Sequence, residues 1–188
     1  MKLKKHKFVL SCVAFVVPMG VILVGPNRMS AQAPPAASAP AATATATDEL
    51  KVLAYTKPES LKLKMADFKG MPRTTVSVHN EHSKADETYA GVRLADLLAK
   101  LGAPLGHDLR GAALGGYVVA TGSDGYVVVI ALAEVDATFH SGEVIVADTM
   151  NGAALDGKSG PFKLVVTEDK RPARWVRNLV SVELKSVK

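Results

Sequence analysis

The chain has 188 residues with 23 Lys and Arg, 18 Asp and Glu, one cysteine and a formal charge of +5. The excess is local: Lys2, Lys4, Lys5, Lys7 and Arg28 all precede the first acidic residue, Asp48, so residues 48–188 carry 18 charges of each sign. A balanced domain lacks the surplus of cations that phosphate neutralisation needs, which excludes a nucleic-acid partner, and the lone Cys12 excludes a disulfide framework, leaving one core to hold the fold.

Residues 1–7 hold four lysines, and residues 8–24 are apolar apart from Ser11 and the breakers Pro18 and Gly20, the layout of a charged region followed by an apolar one that directs export. That run stands at the lower edge of a bilayer span. Residues 1–30 are therefore expected to act either as a cleaved signal peptide or as a retained anchor tethering the protein to a membrane, with the rest periplasmic or extracellular. Val9-Leu10-Ser11-Cys12 offers a lipidation site, but the longer apolar run follows it, which misplaces such a signal. Residues 31–47 are Ala, Pro, Thr, Ser and Gln without a charge or a large apolar side chain, a composition that cannot offset ordering entropy and reads as a partly extended linker. The working domain is expected over 48–188.

From Leu50 onward, short β-type runs separated by turn residues dominate. Strands are expected at 50–55, 74–79, 116–120, 126–131, 144–147, 162–167 and 179–184, with short helical turns at 66–68 and 132–136. Val92, Leu94, Ala95, Leu97, Leu98 and Leu101 recur at helical spacing, and Gly102 follows as a C-terminal stop. Ser123-Asp124-Gly125, Asn151-Gly152 and Asp156-Gly157 supply residues that tolerate positive φ, and each predicts a hairpin. The apolar runs 127–130 and 144–146 predict strands covered on both faces. The fold class is α+β: β-rich mixed sheets with a few short helices.

Three groups of residues carry chemistry. His79 and His82, with Asp86 nearby, could hold a divalent metal, but residues i and i+3 of a strand face opposite ways, so the imidazoles converge only if the chain turns after Val78. A solvated strand-to-loop segment is the simpler reading. Lys170, Arg171, Arg174 and Arg177 surround Pro172 and the only tryptophan, Trp175, a composition suited to gripping an anionic group such as a phosphate, the alternative being that the cations pair with Glu168, Asp169 or Glu183. Asp124, Tyr126, Asp148 and Asn151 fall at strand ends, where Asp124 and Asn151 already have a sufficient role in turns. No GxSxG, P-loop, GxGxxG or CxxC motif is present.

Several segments, taken in order, resemble the molybdopterin-binding domain of the sulfite oxidase family. Tyr89-Ala90-Gly91-Val92-Arg93-Leu94-Ala95-Asp96-Leu97-Leu98 is similar to its Y-x-G-V-x-L-x-D-L-L segment, and Asp124-Gly125-Tyr126 to its D-G-Y strand. The stretch from Val144 to Asn151-Gly152 and Leu155 is similar to the one ending in M-N-G-x-P-L. Gly160-Pro161-Phe162-Lys163-Leu164-Val165-Val166 resembles G-P-x-R-L-V-V, and Arg174-Trp175-Val176 stands where the family has K-W-V. The resemblance implies that family's fold, an oxidoreductase activity with an unidentified redox partner, and a molybdopterin cofactor. Its phosphate would be held by Lys170, Arg171 and Arg174, with Asn151 and Trp175 lining the site. One departure accompanies the match: family members bind molybdenum through a cysteine thiolate upstream of Y-x-G-V, and residues 74–87 contain none. A molybdopterin-fold oxidoreductase and a non-catalytic module that keeps a pocket for a pterin or another small anionic ligand both remain open, with a metal site at His79 and His82 as a third reading.

Overall fold

The computed structural model describes residues 48–187; the expected signal or anchor, Cys12 and the linker lie outside them. The elements run β1 (Glu49–Ala54), β2 (Lys57–Lys64), α1 (Met65–Lys69), β3 (Thr74–Asn80), β4 (Ala85–Arg93), α2 (Leu94–Lys100), β5 (Gly116–Gly122), β6 (Val127–Ala131), α3 (Leu132–Val135), β7 (Val144–Met150), β8 (Ala153–Ala154), β9 (Lys163–Val166) and β10 (Leu179–Ser186), with single 3-10 turns between some of them. One sheet has the order β2-β1-β10-β5-β6 and is mixed, because β1 runs parallel to β10. The other has the order β3-β4-β7-β8, antiparallel, with β9 also pairing β7. The α+β, β-rich expectation holds, and all seven expected strands are present.

One core joins both sheets and the short helices. Leu50 and Val52 of β1, Val118 and Ala120 of β5, Val182 and Leu184 of β10, Val144–Ala147 of β7 and Leu164–Val166 of β9 are buried in it together with Leu94, Leu97 and Leu98 of α2. The helix begins two residues later than the apolar spacing suggests. Val92 and Arg93 stay in the ladder, paired with Val146 and Ile145 of β7, and only at Leu94 does the chain coil. Gly102, with φ +73°, closes the helix by donating its N–H to the Ala99 carbonyl. Gly91 sits at the register shift of β4 against β7, where a Cβ would lie 1.9 Å from the Val146 carbonyl oxygen; the strands can approach here only without a side chain.

Four expectations need correction. β2 and β4 are not among the strands expected from the sequence. The first, KPESLKLK, is an edge strand whose Pro58 and lysines suit an unpaired border; the second begins with polar residues because its outer face meets solvent. Hairpins form at residues 123–125 and at Asn151-Gly152, whose φ values of 50° and 80° fit a two-residue turn. None forms at Asp156-Gly157: β8 and β9 both pair with β7 and not with each other, and Asp156 Oδ1 instead accepts the Lys158 and Ser159 N–H groups. Finally, β7 is covered on both faces as expected, but β6 is an edge strand with Val127 and Val129 about half exposed.

Candidate functional site

Three loops meet at one end of the sheets and line a half-open cavity of about 370 Å³. The β3–β4 turn contributes Asn80 and His82, the β5–β6 turn contributes Asp124 and Tyr126, and the connection from β9 to β10 contributes Pro172, Ala173, Trp175 and Arg177, over a floor that includes Lys163 at the start of β9. Each loop is fixed locally. Asn80 Oδ1 accepts the His82 N–H at 2.9 Å, turning the chain after β3 and presenting the imidazole to the cavity. Asp124 Oδ1 accepts the Tyr126 N–H at 2.9 Å, and the Tyr126 hydroxyl donates to the Ala173 carbonyl at 2.6 Å, tying two of the loops together.

Lys163 dominates the chemistry of the floor. Although charged in type, it is only 8% exposed. Its Nζ donates to the Tyr89 hydroxyl oxygen at 2.7 Å and lies 4.5 Å and 5.3 Å from the ring centroids of Tyr89 and Trp175, which meet edge to face. The Tyr89 hydroxyl donates in turn to Glu87 Oε2 at 2.7 Å, while Asn80 and Ser83 donate to Glu87 Oε1. An ionised carboxylate only accepts, so the direction of the relay is set: lysine to phenol to carboxylate. Burial, opposed by Glu87 and reinforced by Arg177, pulls the Lys163 ammonium below its ordinary pKa. Burial and the neighbouring Glu87 push the Tyr89 phenol upward. Burial alone would raise Glu87, but the hydrogen bonds from Tyr89, Asn80 and Ser83 hold it below the usual value.

The structure gathers only part of the expected site. Trp175 is 7% exposed, walls the cavity and anchors its Nε1–H on the Val166 carbonyl at 2.9 Å. Arg174 points elsewhere: its Nε and Nη2 grip Asp169 at 3.0 and 2.6 Å, and its Nη1 reaches Glu134 of α3 at 3.0 Å, the pairing with Asp169 that the sequence offered as the alternative. This double grip raises the guanidinium's pKa. Arg171 borders a shallower depression with Glu81 and His82, and Lys170 is exposed. Asn151 is a turn residue, exchanging hydrogen bonds with the Thr88 backbone rather than facing the cavity. Asp148, buried, accepts both Nη groups of Arg73.

The two histidines part company. His79 remains on β3 opposite Asp86, with Nδ1 and Oδ1 2.7 Å apart, because the chain turns after Asn80 and not after Val78. His82 alone reaches the cavity, and among the described residues no three His, Cys, Asp or Glu side chains gather as a metal site. Of the four loop cations only Arg177 lines the cavity, and Lys163, Tyr89 and Glu87 are members that the sequence reading does not single out. The signal for Lys163 was a charge inside an otherwise apolar strand, FKLVV, which must either be solvated or meet a partner across the fold.

The donor set does not suit a thiolate-bound molybdenum, since no cysteine occurs beyond Cys12 and the cavity offers an ammonium, a guanidinium and one imidazole. It suits a flat, anionic molecule: Trp175 and Tyr126 supply rings, and neither Lys163 nor Arg177 is in an ion pair among the described residues.

A family model for the oxidoreductase molybdopterin binding domain matches residues 36–187. Among solved structures, the crystal structure of the sulfane dehydrogenase SoxCD from Paracoccus pantotrophus is similar with a TM-score of 0.56 and 20% sequence identity, over 74% of this chain and 39% of that one. The chain thus spans well under half the length of that protein, and the likeness is one of fold. No curated protein matches the chain.

Proposed function

The chain belongs to the oxidoreductase molybdopterin binding domain family, and from that premise we propose that it is an exported, periplasmic or extracellular binding module which takes a small anionic ligand in the cavity over Lys163 and does so without a cysteine-ligated molybdenum. The observation that carries this reading is the floor itself, where a buried lysine between two aromatic rings stands in a pocket whose rim adds Arg177 and His82. A buried cation without a direct carboxylate partner has unmet electrostatic demand, and an entering anion satisfies it. A phosphorylated pterin is the member of this ligand class to which the family points, with its ring against Trp175 and its phosphate at Arg177 and Lys163. The oxidoreductase reading rests on membership alone, and the missing thiolate speaks against its usual form.

Trp175 is the only tryptophan and walls the cavity, so its emission reports occupancy directly. Titration of the full-length protein with a pterin phosphate should quench that emission, and Arg177→Ala should weaken the effect. Metal analysis of protein purified from its own compartment should find no stoichiometric molybdenum. One molybdenum per chain would overturn the proposal.

A further inference from the structure

We propose that Lys163 is a carbonyl-trapping amine: its Nζ, at the floor of the cavity between Tyr89 and Trp175, forms a Schiff base with the aldehyde or keto group of an anionic ligand whose acid group is held by Arg177. The inference deepens the ligand-pocket reading and rests on it.

The contrast with Arg73 and Arg174, which are more exposed, carries the argument. Arg73 meets Asp148 directly, and Arg174 meets Asp169 and Glu134 directly. Lys163 is more buried than either arginine, yet a phenol is interposed between it and Glu87, the acidic group at the far end of its relay. A lysine serving only to hold the fold gains most from direct contact with a carboxylate, which stabilises its charge. One serving as a nucleophile needs the opposite, because only the neutral amine has a lone pair. Desolvation between the two rings, opposed by Glu87 and helped by the nearby Arg177, makes the ammonium that receives the anion easier to deprotonate to the amine that reacts. The orientation of the relay adds to this. Since the Tyr89 proton is committed to Glu87, Tyr89 can only accept from Lys163, which spends one N–H and leaves the lone pair and the other N–H for the cavity.

The chemistry is a condensation that needs no further reactant. The lone pair on Nζ attacks the carbonyl carbon and the carbonyl π pair moves to oxygen. Both amine protons leave with that oxygen as water, and a C=N bond remains. Arg177, at the rim, supplies the charge that selects a ligand with a carboxylate or phosphate near its carbonyl, a 2-oxo acid or an anionic aldehyde.

Glyoxylate, which carries an aldehyde and a carboxylate, is the probe. Full-length folded protein is incubated with dilute glyoxylate and cyanoborohydride, whose hydride reduces any imine to a stable carboxymethyl amine, and the modified lysines are located by peptide mass spectrometry. Lys163 should be labelled about tenfold or more faster than exposed Lys158 and Lys170, as expected for an activated and positioned amine. The preference should vanish in urea and fall in Arg177→Ala. Formaldehyde, which has no acid group, should show no dependence on Arg177. Labelling of Lys163 no faster than of Lys170 would identify it as an ordinary buried ammonium and overturn the proposal. If a pterin phosphate still quenched Trp175 in that case, the pocket reading would stand and only the amine chemistry would fall; absence of both signals would remove both.

Discussion

Arg174→Ala separates the two places where a cation could serve a ligand. Its guanidinium makes two hydrogen bonds to Asp169, at 3.0 and 2.6 Å, and two to Glu134, at 3.0 and 3.3 Å, linking the loop after β9 to α3. Hydrogen bonds to charged groups are worth about 1.5–3 kcal/mol each when desolvated, but exposed ion pairs only about 0.2–1 kcal/mol. Here the Arg174 side chain is 34% exposed and that of Asp169 14%, so the set lies between these limits. The loss on truncation, including the cost of leaving Asp169 largely buried and unpaired, comes to about 2 kcal/mol, or a fall of roughly 6 °C in Tm for a domain of this size. Urea unfolding gives the first quantity, and titration of Trp175 emission gives the affinity for a pterin phosphate. The variant should be less stable and, where folded, bind as well as the parent. Undiminished stability with lost binding would refute the argument and put the ligand on the loop instead of in the cavity.

Trp175→Ala should cost about 3–5 kcal/mol, the range for emptying a core aromatic, and emission of the folded parent close to that of free tryptophan would contradict the burial on which this rests. Gly91→Ala should destabilise by about 3 kcal/mol or prevent folding, because the new Cβ meets backbone that cannot yield, whereas Gly152→Ala, with open space around it, should cost only about 1 kcal/mol of left-handed strain; similar losses for both would show that the close approach of β4 and β7 is not rigid. Glu87→Gln tests the relay through pH. A carboxylate held below its unfolded value adds stability above that value, near 4.5, and loses it as pH falls through the folded one, so the gap in unfolding free energy between parent and variant should be constant above it and shrink below it; a gap that does not change with acid would exclude Glu87. A chain beginning at Thr47 should melt within a few degrees of the full-length protein, and loss of cooperative melting would show that the preceding residues pack on the domain.

Strands that bury one or both faces were legible because burial writes itself into the sequence. VIVA in β7 and LVV in β9 are apolar runs with no solvent face to mark, and GYVVATG in β5 alternates because one face is partly open. β2 and β4 escaped for the same reason in reverse. In β2 only Leu63 is buried, so its pattern is that of the solvent it borders, and in β4 the buried residues come at the end of nine, where Val92 runs on into the leucines of α2 and completes a helical spacing that the backbone does not follow. What stops the helix from starting at Val92 is the pairing with β7, a non-local interaction that no window along the chain contains. The same holds for β6: VVVIA is as apolar as a central strand, and only the sheet order reveals that it stands at the border.

The site obeyed a different logic. The loop of residues 168–174 is dense in cations, but the same stretch holds Glu168 and Asp169, and a flexible charged side chain finds a local counter-ion at small entropic cost. Arg174 does so five residues away. Lys163 has Phe162 before it and Leu164, Val165 and Val166 after it, so no adjacent side chain can take its charge, and the strand carries it away from the loop carboxylates. Its partner, Tyr89, is 74 residues distant and is delivered by another strand of the same sheet. A cation crowded among carboxylates has already satisfied its demand when a ligand arrives, whereas one isolated in an apolar strand and opening on a cavity has not; the second is the better guide to where an anion goes.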